Sequence, residues 1–413
     1  MTATQREFDL IVWGATGFTG RLVAEYLLER YGAASELRWA MGGRDLRKLE
    51  KVRGGLGPGS DAIELIEADS HDRRSLDAMV GRTSVVCSTV GPFARHGSEL
   101  VAACAAAGTD YCDITGEVQW VRKMIDAHED TARQTGARLV HCCGFDSIPS
   151  DLGTLFTQRQ MEALHGGPCE SVKFRVRRMK GAFSGGTVAS LLNALDEARA
   201  DRGTRRIMGN PYGLNPKGEQ RGPDGPDQSR PQWDEDVNSW TAPFVMAAVN
   251  TRVVRRSNAL TGYSYGKSFR YEEAVMTGRG PGGLLRAVSM TATLGGFLAA
   301  ASLKPARALM GRLFLPQPGE GPSEEARESG YFDILLVGRR KAEKIVTRVR
   351  ANRDPGYGAT SRMLGESAVC LAKDQLQTGG GSWTPASCMG EKLIERLTAN
   401  AGMSFEVQSD SGA

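Results

Sequence analysis

Short apolar runs and amphipathic stretches alternate through the first third of the chain, and their periods separate strands from helices. Phe8 to Trp13 reads as a strand, Gly20 to Arg30 as a helix, and Leu37 to Gly42 as a second strand. Asp45 to Val52 follows as a helix, Ile63 to Ala68 and Val85 to Val90 as strands, Gly97 to Ala107 as a helix and Ala137 to Cys143 as a buried strand. Strands and helices in this rhythm predict an α/β fold: a Rossmann-type doubly wound parallel sheet with right-handed crossovers. Beyond Pro149 the period changes. Val172, Phe174 and Val176 alternate with Lys173, Arg175 and Arg177, which predicts a half-buried strand with one wet face. Phe269 to Met276, Tyr331 to Val337 and Ile345 to Val349 are similar, so a second α+β domain on a mixed, largely antiparallel sheet is expected. Tyr357 to Lys373 and Thr384 to Leu397 read as helices. The expected division is 1–148, 149–352 and a C-terminal segment 353–413.

Two stretches break the rhythm. Gly209 to Pro231 is crowded with Gly, Pro and charge and reads as a long loop or lid, or as disorder. Ala287 to Leu303 is uncharged, yet carries Ser289, Thr291, Thr293, Gly295, Gly296 and Ser302. A membrane span needs roughly 20 mostly apolar residues. The expectation is therefore a buried or dimer-interface helix, which makes the chain a homodimer; a peripheral membrane or lipid contact is the alternative.

Composition changes this picture little. Of 413 residues, 52 are Lys or Arg and 48 Asp or Glu, a net charge of +4 that argues against a nucleic-acid partner. The eight cysteines form no CxxC pair and the five histidines are scattered, so no metal site is expected. The polar start, Met1 to Glu7, has no apolar signal region, and a cytoplasmic location is expected, with the inner face of the membrane as a peripheral site.

The clearest chemistry lies at the first strand–helix junction. Leu10, Ile11 and Val12 run into Gly14-Ala15-Thr16-Gly17-Phe18-Thr19-Gly20 and a helix. Gly14 permits the turn, Gly17 lets the backbone approach a pyrophosphate, and Gly20 allows helix to pack on strand, which is a dinucleotide fingerprint. NAD sites usually end the second strand in Asp or Glu; here the chain reads Gly42-Gly43-Arg44, with Arg47 and Lys48 beyond. Arg44 and Lys48 suit a 2′-phosphate, which favours NADPH. Asp69 is either an acceptor for the adenine amino group or a helix cap. Thr89, Val90, Gly91 and Pro92 follow a strand that ends at the crevice, as a surface for the nicotinamide ribose or a plain turn.

Trp13-Gly-Ala-Thr-Gly-Phe-Thr-Gly20, Thr89-Val-Gly-Pro-Phe93, Tyr111-Cys-Asp-Ile-Thr-Gly-Glu117 and Cys143-Gly-Phe-Asp-Ser-Ile-Pro-Ser-Asp151 together resemble the saccharopine dehydrogenase-like oxidoreductases. Ser184-Gly-Gly-Thr187, Asn250 to Leu260 and Asp354-Pro-Gly-Tyr357 resemble their trans-acting enoyl reductase branch, of mycobacterial-type phthiocerol and phenolphthiocerol lipid synthesis. The resemblance covers nearly the whole chain, least securely at 209–231. It implies an NADPH-dependent enzyme that reduces a trans-2,3 double bond in an acyl chain held on a polyketide synthase or carrier protein. It also implies that the last segment folds back on the first domain. A saccharopine-type amino-acid dehydrogenase and a non-enzymatic NADP-binding lipid-surface protein are the competing readings.

Enoyl reduction places negative charge on the thioester oxygen and needs a proton at the α-carbon. Ser147 is the expected oxyanion donor, with Asp146 orienting it; both otherwise cap the next helix. Tyr111 is a candidate proton donor or a packed core tyrosine, Glu117 a candidate to orient the cofactor's carboxamide or ribose, and Tyr357 a third candidate if the last segment returns. His141 is expected as a satisfied core histidine. Arg252, Arg255 and Arg256 read as a solvated helix face, or as a site for a carrier protein or phosphopantetheine phosphate.

Overall fold

The computed structural model describes residues 6–33, 36–181, 185–301 and 321–408. Its strands are β1 Phe8–Trp13, β2 Trp39–Gly43, β3 Glu64–Glu67, β4 Thr83–Ser88, β5 Asp110–Asp113 and β6 Arg138–Val140. They continue with β7 Ser171–Lys180, β8 Gln232–Asp234, β9 Ser239–Pro243, β10 Arg270–Gly278, β11 Tyr331–Arg340 and β12 Glu343–Ala351. The chain ends with β13 Gly381–Trp383 and β14 Met403–Val407.

The first sheet runs β13-β6-β5-β4-β1-β2-β3 with every pairing parallel. Read from the other edge this is the Rossmann strand order, extended by β13. Leu10, Ile11 and Val12 are wholly buried because helices cover both faces of a central parallel strand. The order reverses between β1 and β4, so the loops leaving the carboxyl ends of β1, β4, β5 and β6 share one crevice.

The second sheet runs β14-β12-β11-β7-β10-β9-β8. It is antiparallel except for β7 with β10, which is parallel. The wet face expected for β7 is partly covered. Arg175 is buried and pairs with Asp234 and Glu272, while Lys173 reaches Asp234 and Asp236. Acidic groups around the β8–β9 turn neutralise cations that alternation assigns to solvent.

The helix Ile148–His165 leaves the loop after β6 and packs on β11 and β12 of the second sheet. The helices Arg73–Val80 and Val118–Thr135, and strand β5, have no counterpart in the sequence reading. β5 is Asp-Tyr-Cys-Asp, and its carboxylates hide a strand whose residues are all buried. The helix expected over 384–397 is broken into Pro385–Cys388 and Gly390–Asn400, at Gly390 with φ 49°.

Residues 210–231 carry no regular element but are tied down on the helix Ala247–Leu260. Asp224 accepts from Arg255 Nε at 2.7 Å, Asp227 pairs with Arg252, and Arg256 donates to the carbonyls of Leu214 and Ser382. All three arginines are buried. They are neither a solvated face nor an open phosphate site, which corrects both readings of that cluster. The helix Gly280–Ala301 departs the other way. Gly283, Ala287 and Ala301 are buried, but Leu285 is 70% exposed and Leu284, Val288 and Met290 are open, so the described residues do not cover it.

Candidate active site at the dinucleotide crevice

Gly14 has φ +88°, and a Cβ there would meet Val90 Cγ2 at 2.6 Å and Thr89 Oγ1 at 2.8 Å. A Cβ on Gly20 would run into the Gly14 carbonyl, whereas Gly17 is exposed. The loop is thus packed from behind by bare glycines and bare again where a pyrophosphate would lie. Ala15 is wholly buried, Thr16 exposed, and Phe18 and Thr19 half-buried. The helix Phe18–Tyr31 starts at Gly17 with no side-chain cap, which leaves its first N–H groups for an anion.

Beyond β2, Arg44, Lys48 and Arg47 are exposed around a shallow depression of ≈ 600 Å³ also lined by Asp45, Leu46 and Glu67. Arg44 and Arg47 make no ion pair among the described residues, and Lys48 sits 3.8 Å from Asp45. Unpaired guanidinium groups where NAD sites place a carboxylate fit a 2′-phosphate. Asp69 Oδ1 closes a turn on the His71 amide at 2.8 Å, and the cap of the 73–80 helix belongs to Asp72, which corrects the cap reading of Asp69.

Thr89 Oγ1 donates to the carbonyls of Trp13 and Gly14, tying the loop after β4 to the glycine loop. Gly91 is exposed and Val90 and Pro92 half-buried beside it. Glu117 is buried, and burial raises its pKa. Its oxygens accept from the amides of Phe93 at 2.8 Å and Ala94 at 3.0 Å, and Ser190 Oγ donates to it at 2.7 Å. Both Glu117 oxygens are therefore engaged in holding the 91–96 loop, so any part it plays at the cofactor runs through that loop.

The loop after β6 rearranges the catalytic expectations. Tyr111 has no exposed surface and lies in the core with its ring 5.7 Å from that of His141; no substrate reaches its hydroxyl. His141 Nδ1 is 2.7 Å from Asp113 Oδ2, while its Nε2 finds no partner among the described residues, so this core histidine is half-satisfied there. Ser147 occupies the N-cap position of the 148–165 helix without making a cap bond. It is wholly buried and its Oγ donates to Asn250 Oδ1 at 3.3 Å, so it is no oxyanion donor in this conformation. Asp146 does not orient it. That half-buried carboxyl lies beside Gly116, makes no hydrogen bond or ion pair among the described residues, and is pushed up to about 7 by burial. A carboxyl raised in this way holds its proton to higher pH than a solvated one, which suits a general acid.

Three residues in this region, Asn250, Tyr271 and Glu273, were not singled out by the sequence. Asn250 Nδ2 donates to Glu273 Oε2 at 2.9 Å, and Tyr271 donates to Glu273 Oε1 at 2.7 Å. Glu273 is buried and pushed up to about 7, so a polar line runs from β10 to the crevice loop. A carboxylate on the core parity of an alternating strand was the available signal. The C-terminal segment does return. Tyr357 packs edge-on against Phe18 at 4.8 Å, its hydroxyl accepts from Gly185 N at 3.1 Å, and Thr360 Oγ1 accepts from Phe145 N at 3.0 Å.

Residues 10–140 match the family described as the saccharopine dehydrogenase NADP-binding domain. A candidate trans-acting enoyl reductase of Mycobacterium tuberculosis is 42% identical over 98% of this chain and 99% of its own. The trans-acting enoyl reductase of Mycobacterium ulcerans is 36% identical over 96% of this chain and 97% of its own. Saccharopine dehydrogenase (L-Glu forming) of Saccharomyces cerevisiae has the same fold, with a TM-score of 0.54 at 10% identity, covering 97% of this chain and 99% of that one. With its glycine cradle and unpaired cations in place, this chain is an NADP-dependent oxidoreductase of the saccharopine dehydrogenase-like family and belongs to its trans-acting enoyl reductases.

Proposed function

We propose that this protein reduces the trans-2,3 double bond of an acyl thioester held on a polyketide synthase or carrier protein, in lipid or glycolipid synthesis. NADPH, when bound, supplies the hydride that the β-carbon receives. Asp146 supplies the proton to the α-carbon, and the observation that carries the reading is that carboxyl: crevice-side, without a charged partner, and pushed up to about 7. Gly14, Gly17 and Gly20 admit the pyrophosphate, Arg44 and Lys48 hold the 2′-phosphate, and Glu117 and Thr89 fix the loop that faces the ribose. A saccharopine-type substrate asks instead for cations to anchor its carboxylates. The arginine cluster of the 247–260 helix is spent inside the protein, which favours the apolar substrate.

The test is NADPH oxidation with trans-2-enoyl thioesters on free pantetheine and on a carrier protein, with saccharopine in the reverse direction. Turnover of carrier-bound enoyl chains supports the reading. Saccharopine oxidation, or tight NADPH binding with no enoyl turnover, overturns it.

The same reading gives the open face of the 280–301 helix a role at a lipid surface on the cytoplasmic side. From Ala274 to Gly319 the sequence has no carboxylate, while Arg279 and Arg286 flank the helix start, a combination that suits anionic lipid. Flotation with anionic vesicles, lost on Leu285→Glu, supports it. A concentration-dependent dimer disrupted by the same substitution, without vesicle binding, replaces it with a homodimer interface.

A further inference from the structure

Two histidines sit at the mouth of the crevice, on loops the sequence reading did not join. His71 lies on the loop leaving β3 and is exposed; His96 ends the short helix Phe93–His96 after β4 and is half-buried. His96 Nδ1 is 3.3 Å from His71 Nε2, and the rings meet edge-on at 5.4 Å and 72°. One ring nitrogen must donate and the other accept. The neutral pair does this as it stands, and one added proton preserves the hydrogen bond. A second would set two N–H groups against each other, so the pair switches between neutral and one positive charge.

The surroundings determine what that charge does. In the first sheet β1 and β2 stand between β4 and β3, so a contact between the loops leaving β3 and β4 spans the end of β2, where Arg44 lies. Arg95 precedes His96 on the 93–96 helix, and Asp69 closes the turn that carries His71. Burial lowers its pKa first; His71, Arg95 and Arg44 lower it further, and Asp69 opposes them. Without ligand the proton is thus held loosely. A 2′-phosphate at Arg44 reverses the local field, so its arrival favours the protonated pair.

We propose that His71 and His96 form a proton-responsive wall of the subsite for the adenosine 2′-phosphate, so that binding NADPH takes up a proton and tightens as pH falls. This deepens the NADP reading and rests on it. NADH lacks the phosphate and gains nothing from the charge. The phosphate's own second ionisation, near pH 6, works in the opposite direction, because a less charged ligand binds Arg44 less well. The sign of the effect therefore identifies its source.

The experiment is calorimetric or fluorescence titration of the wild-type protein, His71→Gln and His96→Gln with NADPH and with NADH, from about pH 8 to about pH 6. Thermal melts confirm that each variant is folded; His71 is exposed, so its substitution keeps the test open if His96→Gln does not fold. The expected result is NADPH affinity rising about threefold to tenfold as pH falls, the magnitude of one unit charge near a phosphate at a solvated surface. That rise is absent in both variants and with NADH. An unchanged rise in the variants, or an equal rise with NADH, overturns the proposal. Absence of NADPH binding at every pH would overturn the cofactor reading itself, and this one with it.

Discussion

Side chains in this crevice act through what surrounds them more than through their type. Asp146 and Ser147 are sequence neighbours, yet one carboxyl keeps a free, half-buried edge while the hydroxyl beside it is turned inward to Asn250. Asp146→Asn is expected to lower kcat with the enoyl substrate by about 100-fold or more, the typical contribution of a positioned acid. In the wild-type enzyme kcat is expected to fall as pH rises through about 7, with the protonated carboxyl as donor, and the variant is expected to lose that limb. Ser147→Ala, by contrast, is expected to change kcat by less than about tenfold, since the hydroxyl only braces Asn250. At the cofactor, Arg44→Ala is expected to raise the Kd for NADPH by about tenfold to 100-fold and leave NADH binding unchanged, which fluorescence titration checks directly.

Whole elements are held by buried polar groups that no periodicity announces. Asp151, inside the 148–165 helix, accepts from Ser257 Oγ at 2.5 Å and from the amide of Ala386 at 2.8 Å, joining three helices. Burial pushes it from 3.8 up to about 7. A carboxyl raised on folding binds more protons in the folded state, so stability is lost as pH rises between its unfolded and folded values. Unfolding in urea is expected to show about 2–4 kcal/mol less stability at pH 8 than at pH 4 from this group, a slope that Asp151→Asn removes. The loop 210–231 is held differently, by ion pairs buried against the 247–260 helix. Asp224→Ala strands the buried Arg255 and is expected to cost about 3–5 kcal/mol in the same assay.

The two sheets are closed at their edges by the same stretch of chain. β13 pairs with β6 at one edge of the first sheet, and β14 pairs with β12 at one edge of the second. Truncation after Lys373 is therefore expected to unfold or aggregate the whole protein, seen as loss of soluble protein and of a cooperative melt, rather than to trim one domain. The glycine loop, the Rossmann pattern of the first strands and the cation at the end of β2 were legible along the chain. Each depends on local backbone sterics or on an apolar period that neighbours in sequence specify. β5 was not legible, because its carboxylates are satisfied by Arg138 and His141 from a strand brought alongside it. Nor was the fate of Glu117, Ser147 and the three arginines: each reads as available chemistry until the fold delivers partners that use it up. Sequence by itself determined the parallel sheet, its dinucleotide loop and the preference for NADP, since these follow from periodicity, glycine geometry and the cations that stand where NAD sites place a carboxylate. Tertiary structure alone decided which polar groups stayed free to react, because burial and long-range hydrogen bonding set a side chain's charge and reach.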